Sequence, residues 1–391
     1  MKFASARSEA ETFPELVREL VEGSELGLNA RPDLAVLFFT SPLIPAAAQL
    51  AAAVRERLEP RHLLGVSCES VVGNEREIER RAGAVLFTAS LPGVDVKPFH
   101  LAREEWTDLL TDEEALRSRI STGASHRGQL LLPDPFTTPA DELLPRLDSA
   151  LGAPTFGGMA SGSTQPGGNA LLLDGEQLTD GAIGAGFGGA LEIRTVVSQG
   201  CRPIGEPFVA TRTEGQAIFE LGRRPALEVA REVLDNLSSE EKRLAARGLM
   251  LGIAMNEYRD QFERGDFLVR GLLGAIPDDG ALVVGDVVRP GQTVQLHVRD
   301  HETAHEDLVE LLRPVGGLPG AAGALLFTCN GRGTRMFPQP DHDARTTLEA
   351  LPGVPLAGFF AMGELGPVGG KSFIHGHTAS LAIFSPGSST E

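Results

Sequence analysis

Residues 35–40 read AVLFFT, and residues 324–329 read ALLFTC. Each is an apolar run of strand length with polar residues only near its C-terminal end. A continuous run of this kind predicts a strand covered on both faces. The segments after the two runs are also alike. After the first, residues 45–58 mix alanine and leucine with Gln, Arg and Glu, as an amphipathic helix does, and LLGVSCE (63–69) then runs toward Gly73. After the second, residues 343–351 read as an alanine-containing helix, and PLAGFFAMGE (355–364) closes in glycine and Glu364. Residues 153–161, APTFGGMAS, echo the same ending. The shared order is apolar strand, helix, short apolar strand, glycine-rich end. It predicts an α/β (mixed α+β) fold with an internal duplication: two related halves whose buried sheets carry helices on their outer sides. The repeats are long and irregular, which excludes a regular solenoid.

Around these anchors, 83–88 and 130–134 read as strands, 140–151 as a helix, and 98–125 as a polar, partly helical stretch. Residues 169–174 and 182–188 read as a hairpin pair, with 191–197 extending its sheet. The middle of the chain runs through segments 207–214 and 216–221, and strands are expected at 249–256, 267–274, 281–284 and 293–299. Helices are expected at 225–237, which has proline near its start, and at 301–312. A boundary within 200–225 divides the chain into domains 1–215 and 216–391.

A length of 391 residues suits two or three domains. The chain holds 46 glycines and 26 prolines, clustered at the ends of apolar runs, and 42% hydrophobic residues, enough for a packed core. A net charge of -18, with no Lys/Arg stripe, argues against nucleic acid and anionic lipid as partners. No signal-peptide opening and no run of 18 apolar residues is present, so a cytoplasmic protein without membrane insertion is expected. Three cysteines, Cys68, Cys201 and Cys329, are too few and too spread for a disulfide framework.

Two segments stand out chemically. CNGRGTR (329–335) follows a buried strand with an Asn-Gly turn. Its arginines suit an anion, and Cys329 suits a ligand contact, a redox role or a nucleophile. Residues 358–377 carry Glu364 between glycines, then Lys371, His375 and His377. The two histidines share a face if the segment is a strand, yet a metal needs a third ligand, so no metal is assigned. HETAH (301–305) matches the letters of a zinc-protease motif but follows a strand end amid charge, and reads as the exposed first turns of a helix. FGGMASGSTQPGG (156–168) is no phosphate loop. GAGFGG (184–189) runs into a strand, not a helix, so no nucleotide cofactor is expected. Cys68, Met159 and Met362 stand at corresponding strand ends, as a shared cavity lining or as ordinary core.

AVLFFTS (35–41), LGVSCESVVG (64–73), PTFGGMASG (154–162), CNGRG (329–333) and GELGPVGG (363–370) together resemble the FIST family, over roughly residues 30–385. The resemblance implies a sensory, ligand-binding module of bacterial signal transduction that binds a small molecule such as an amino acid. Family members occur beside kinase, chemotaxis or cyclic-dinucleotide modules and in some eukaryotic F-box proteins. Some resemble haem-based nitric-oxide sensors. The matching motif positions are Cys329, Asn330, Arg332, Gly333, Glu364, Gly369, Gly370 and His375, to which Cys68 and Met159 are added as candidate ligand contacts. His377 stands where the family more often has tyrosine. The resemblance transfers no catalytic residue and no cofactor. Since no kinase, methyl-accepting or F-box segment is recognisable, output is expected to pass through a signalling partner. Arg332 is expected to take an anionic group of the ligand and Glu364 an amine. The alternatives are a cysteine-dependent enzyme centred on Cys329, a haem sensor using His297, His301, His305, His375 or His377, and a scaffold that binds only proteins.

Overall fold

The structure, a computed structural model, describes residues 1–257, 262, 265–316 and 320–387. Three times the chain runs through one order of elements: an edge strand, a helical segment, a strand, a helix, a second strand parallel to the first, a hairpin and a returning strand. Repeat I is β1 (Lys2–Ser8), α1 (Phe13–Leu28), β2 (Leu34–Thr40), α2 (Ala47–Leu58), β3 (His62–Cys68), the hairpin β4 (Ser70–Gly73) and β5 (Arg76–Glu79), and β6 (Ala84–Ser90). Repeat II is β7 (Val94–Leu101), α3 (Trp106–Thr111), α4 (Glu113–Ile120), β8 (His126–Pro133), α5 (Ala140–Leu151), β9 (Thr155–Gly158), the hairpin β10 (Leu171–Leu173) and β11 (Glu176–Leu178), and β12 (Ala182–Gly189).

Repeat III begins with β13 (Leu191–Ser198) and is then interrupted. The interruption holds β14 (Cys201–Glu214), β15 (Ala217–Leu221), β16 (Arg224–Pro225), α6 (Ala226–Asp235), α7 (Ser239–Arg247), β17 (Leu249–Ala254), β18 (Phe267–Ile276), β19 (Ala281–Val284) and β20 (Thr293–Arg299). The repeat resumes with α8 (His301–Leu312), β21 (Gly323–Cys329), α9 (His342–Ala350), β22 (Leu356–Ala361), the hairpin β23 (Glu364–Val368) and β24 (Lys371–His375), and β25 (Ala379–Pro386). The chain divides into unit 1, Met1–Val197 with Leu311–Glu391, and unit 2, Ser198–Glu310, so that most of α8 is counted with unit 2. The mixed α+β class expected from the sequence is present, but the expected two related halves are not: there are three copies of one repeat, the third interrupted by a separate β-rich segment.

In unit 1 each parallel pair is the centre of a six-stranded sheet. The orders are β1-β6-β2-β3-β10-β11, β7-β12-β8-β9-β23-β24 and β13-β25-β21-β22-β4-β5. The last two strands of every sheet are a hairpin lent by another repeat: β10–β11 to the first, β23–β24 to the second, β4–β5 to the third. The hairpin expected between 169–174 and 182–188 therefore does not form. Asp174 and Gly175 adopt positive φ (48° and 105°) and turn β10 straight back onto β11, while β12 lies in the second sheet and β13 in the third.

The apolar runs are continuous because both faces are covered. Val36 and Phe38 point into a core shared by the three sheets, and Ala35, Leu37 and Phe39 point out toward α1 and α2. Leu131 likewise faces outward against α4 and α5, while Leu130 and Leu132 face in. Phe3, Phe87, Phe156, Phe187 and Phe384 interleave at the centre, with Phe3–Phe87 centroids 5.3 Å apart. The void among Val36, Leu130, Leu325 and these rings is about 10 Å³, room for one water at most. This core has no room for a small organic molecule.

One glycine recurs in register. Gly65, Gly157 and Gly358 stand opposite Leu37, Leu131 and Leu326 in the three parallel pairs. A Cβ on Gly157 or Gly358 would collide with the carbonyl oxygen of Leu131 or Leu326, and one on Gly65 would press to 3.0 Å from that of Leu37.

Unit 2 is a closed antiparallel barrel. The 14-residue β14 pairs with β20 through its first part and with β15 through Ala210–Glu214, which joins the two ends of the sheet β14-β20-β17-β18-β19-β15. Ile204, Ile218, Leu251, Leu282 and Leu296 fill it, capped by Val229 and Ala230 of α6. Among the described residues no helix is long and apolar enough to cross a membrane.

Candidate functional site

Loops leaving the carboxyl ends of parallel strands are the usual place for ligand-binding residues in α/β sheets. Counting from the recurrent glycine, the equivalent ends of β2, β8 and β21 are Thr40, Asp134 and Cys329. The equivalence is visible in the backbone: each of the three donates its N–H to the loop before the returning strand. Thr40 donates to Gly83 O at 3.0 Å, Asp134 to Gly181 O at 2.9 Å, and Cys329 to Thr378 O at 3.0 Å.

The side chains at these three ends differ. Thr40 is fully buried; its hydroxyl donates to Gly83 O at 3.1 Å and accepts from Gly83 N at 2.9 Å. Asp134 is fully buried and accepts from Asn169 Nδ2, Phe136 N and Thr137 Oγ1. Both are closed polar staples. Cys329 is only half-buried, and a second reactive group stands beside it: Sγ lies 3.9 Å from His377 Nδ1. Gly331 donates its N–H to the same sulfur at 3.4 Å. A Cβ at Gly331 would sit 2.8 Å from His377 Nδ1, so any side chain there would displace the His377 ring. His377 itself takes a left-handed φ of 64°, which swings its ring off the end of β24 and onto the Cys329 loop. Asn330 holds the loop to β22 through its N–H to Ala361 O, and its Oδ1 is buried with no hydrogen-bond partner among the described residues.

Arg332 lies behind this surface, fully buried. Its guanidinium binds Asp343 at two points, reaches His377 O at 3.4 Å and lies 5.1 Å over the Phe337 ring. Asp343 also accepts from Thr328 Oγ1 at 2.6 Å and meets His342 Nδ1 at 2.9 Å. Arg332 is thus part of the scaffold that fixes both the Cys329 loop and the His377 backbone. Gly333, at φ 58°, starts the following turn where a side chain would strike Phe360 and Glu79. At the surface Arg335 binds Glu69 at 2.7 and 2.8 Å and donates to Asn330 O.

Glu364 and His375 face each other as a cross-strand pair at the base of the β23–β24 hairpin, both buried. Glu364 Oε2 accepts from Thr378 N at 3.0 Å, and His375 Nε2 meets Gly366 O at 2.9 Å. The segments around Cys329 and Glu364 do come together, then, through Thr378 and His377. Gly369 and Gly370 do not join them. They form the two-residue turn at the far end of the same hairpin, four residue steps away (about 13 Å). Cys68 is core: its thiol donates to Phe39 O at 3.2 Å, and burial pushes it well above the ordinary thiol range. Met159 is buried against Gly363. Register puts Ala160 and Ala361, not Met159 and Met362, level with Cys68, and Met362 is exposed.

The remaining histidines are scattered. His375 and His377 do not share a strand face, because the strand ends between them. His301 and His305 lie in the first turns of α8, half-buried and exposed respectively. His297 is buried on the outer face of the barrel wall, opposite to Leu296, its ring 5.1 Å from that of Phe267. Among the described residues no group of three His, Cys, Asp or Glu side chains is placed to hold a metal.

A family model described as the FIST N domain matches residues 33–224, and one described as the FIST C domain matches residues 226–367. The chain belongs to the FIST family. FIST domains are sensory modules of signal transduction. The join between the two FIST matches falls inside unit 2, not between the units. The FIST chain is 41% identical over 381 residues to the uncharacterized protein Rv0628c of Mycobacterium tuberculosis, covering 97% of this chain and 96% of that one. It is also 42% identical over 357 residues to the uncharacterized protein Mb0898c of Mycobacterium bovis, covering 90% of each. The partnership of Cys329 with His377 was not legible in the FIST motifs; only the strand pairing of β21 with β25 brings residues 48 positions apart together.

Proposed function

We propose that this protein is a small-molecule sensory module whose ligand sits at the carboxyl ends of β21 and β22, over Cys329, Asn330 and His377. One observation carries the reading. Of three equivalent strand ends, two are sealed by a buried, fully bonded side chain, and the third is left half-open with a thiol, an imidazole and the buried Asn330 Oδ1. The proposed ligand is an amino acid or a similar metabolite. The expected roles of Arg332 and Glu364 shift accordingly. Engaged by Asp343 and by Thr378 N, they act from behind, holding the loops that carry Cys329 and His377. Arg335 at the rim, partly exposed and paired with Glu69, is the arginine of this loop left for an anionic group. The bound state would pass to a signalling partner protein, and domains 1–215 and 216–391 remain our division of the chain into FIST N and FIST C parts.

Thermal-shift screening of the full chain against amino acids and related metabolites tests this. A ligand at about a hundredfold its Kd adds about 2.7 kcal/mol of apparent stability, and Asn330→Ala is expected to abolish the shift. No stabilisation by any compound at millimolar concentration overturns the proposal.

A further inference from the structure

We propose that Cys329 is a reversible covalent ligand site, which forms a mixed disulfide with a low-molecular-weight disulfide. This rests on the reading of the β21 end as the ligand site and names the chemistry that site performs.

Four features support it. Cys329 is half-buried, whereas Cys68 and Cys201 are buried. The His377 ring, 3.9 Å away, is within reach to take the thiol proton. The Gly331 N–H points at the same sulfur and favours its anionic form. The Arg335 guanidinium, held by Glu69, donates to Asn330 O at 2.7 Å and so stands on the same loop. These are the surroundings that make a cysteine reactive, and a buried structural cysteine lacks them. Cys68 supplies the contrast within the same unit. It too ends a central strand, yet it has neither exposure nor a base.

The step balances simply. The Cys329 S–H proton passes to His377. The thiolate then attacks one sulfur of the small disulfide, a new S–S bond forms to Cys329, and the S–S bond of the small molecule breaks. The departing thiolate takes the proton back from the imidazolium and leaves as a thiol. The small disulfide is the oxidant, and it is reduced to one thiol for each Cys329 modified. The second sulfur comes from solution because the other two thiols of the chain are buried and donate to backbone carbonyls, Cys68 to Phe39 O and Cys201 to Gln199 O.

The adduct would bear on the structure directly. It would occupy the place of the His377 ring beside Gly331. That ring is anchored through its own backbone carbonyl to Arg332, and so to α9 by way of Asp343.

Intact-mass spectrometry of the native chain with oxidised glutathione is the test. One glutathionyl adduct per chain is expected, mapped to Cys329 and removed by dithiothreitol, with none on Cys329→Ser of native circular dichroism. In His377→Gln the rate at pH 7 is expected to fall about tenfold, and to equal that of the wild type at about pH 10, above the ordinary thiol pKa of about 8.5. If Cys329→Ser does not fold, the His377→Gln pair of rates decides alone. No adduct on the native chain, an adduct on Cys68 instead, or an unchanged pH 7 rate in His377→Gln overturns the inference. Metabolite stabilisation without an adduct removes the covalent site and leaves the sensory reading. An adduct with no stabilising metabolite removes the non-covalent ligand and leaves the thiol site.

Discussion

Arg332 and Asp343 are joined by two parallel hydrogen bonds, Nε to Oδ2 at 2.7 Å and Nη2 to Oδ1 at 2.8 Å, with neither side chain reaching solvent. Burial alone would push the Asp343 carboxyl up. The guanidinium beside it overrides that and holds it well below the usual carboxylate range. The pair ties the loop after β21 to the first turn of α9, so the geometry around Cys329 depends on it.

Removing one member leaves the other charge buried without compensation. Asp343→Asn is expected to cost about 3–5 kcal/mol, read from urea unfolding at pH 7. Replacing both members with apolar residues should cost less than this single change. A loss below about 1 kcal/mol for Asp343→Asn would mean the pair is not the clamp described.

Glu77 sits in the same cluster. It accepts from Ala344 N at 3.0 Å, and its own N–H donates to Asp341 Oδ1 at 2.8 Å. Burial first, and then the charge of Asp343, raises its carboxyl from 4.5 to about 8. The folded state therefore holds a proton that the unfolded chain has released. Its contribution is complete below about pH 4.5 and is lost as pH rises toward 8; Asp343 works the opposite way, below 3.8. Melting temperature should fall from pH 6 to pH 8.5 in the wild type by more than in Glu77→Gln. Parallel pH profiles for the two proteins would refute this.

His297 gives unit 2 a separate acid sensitivity. Burial, opposed only by the hydrogen bond to Gln295 O, lowers its imidazole from 6.5 to about 4. The unfolded chain binds the proton more readily, so the barrel loses stability as pH falls from 6.5 toward 4. The protection of β17 and β20 amides, expressed as exchange relative to the intrinsic rate at each pH, should fall over that range, and the fall should be smaller in His297→Gln. An equal loss of protection in both proteins would assign the effect elsewhere.

The register glycine gives a sharp contrast. Gly358→Ala must drive a methyl group into the Leu326 carbonyl and should cost more than about 3 kcal/mol or abolish soluble expression. Gly376→Ala, in open space, should stay within about 0.5 kcal/mol. Comparable denaturation midpoints for the two variants would sink the steric reading.

Much of the fold was readable because strong local signals agree with burial. The runs at 35–40 and 324–329 are apolar throughout because core lies on one face and helices on the other. The helices at 140–151 and 301–312 fall on their expected bounds. The third copy was visible only as the faint echo at 153–161, since repeat II ends β8 in Pro133 and inserts a long loop before β10. Pairing partners were not readable at all. Nothing local in GELGPVGG states that it joins β9 rather than the strand before it, because the choice is made by packing far along the chain. The site was half-legible for the same reason: Cys329 announces itself beside an Asn-Gly turn, whereas His377 and Asp343 reach their partners only through the finished sheet.

The hairpins lent between repeats also bear on how the protein is made. As the chain leaves the ribosome, the first sheet is finished once residue 178 has emerged. The second waits for residues 364–375, and until then the edge of β9 stands open. Early-made β4–β5 must in turn stay available for β22, some 280 residues later. Such long-range closure is slow and leaves edges open to wrong pairing during synthesis. A chain stopped at residue 215 would keep the open edge permanently: the FIST N segment is a partner waiting for the FIST C segment, and neither is a finished body alone.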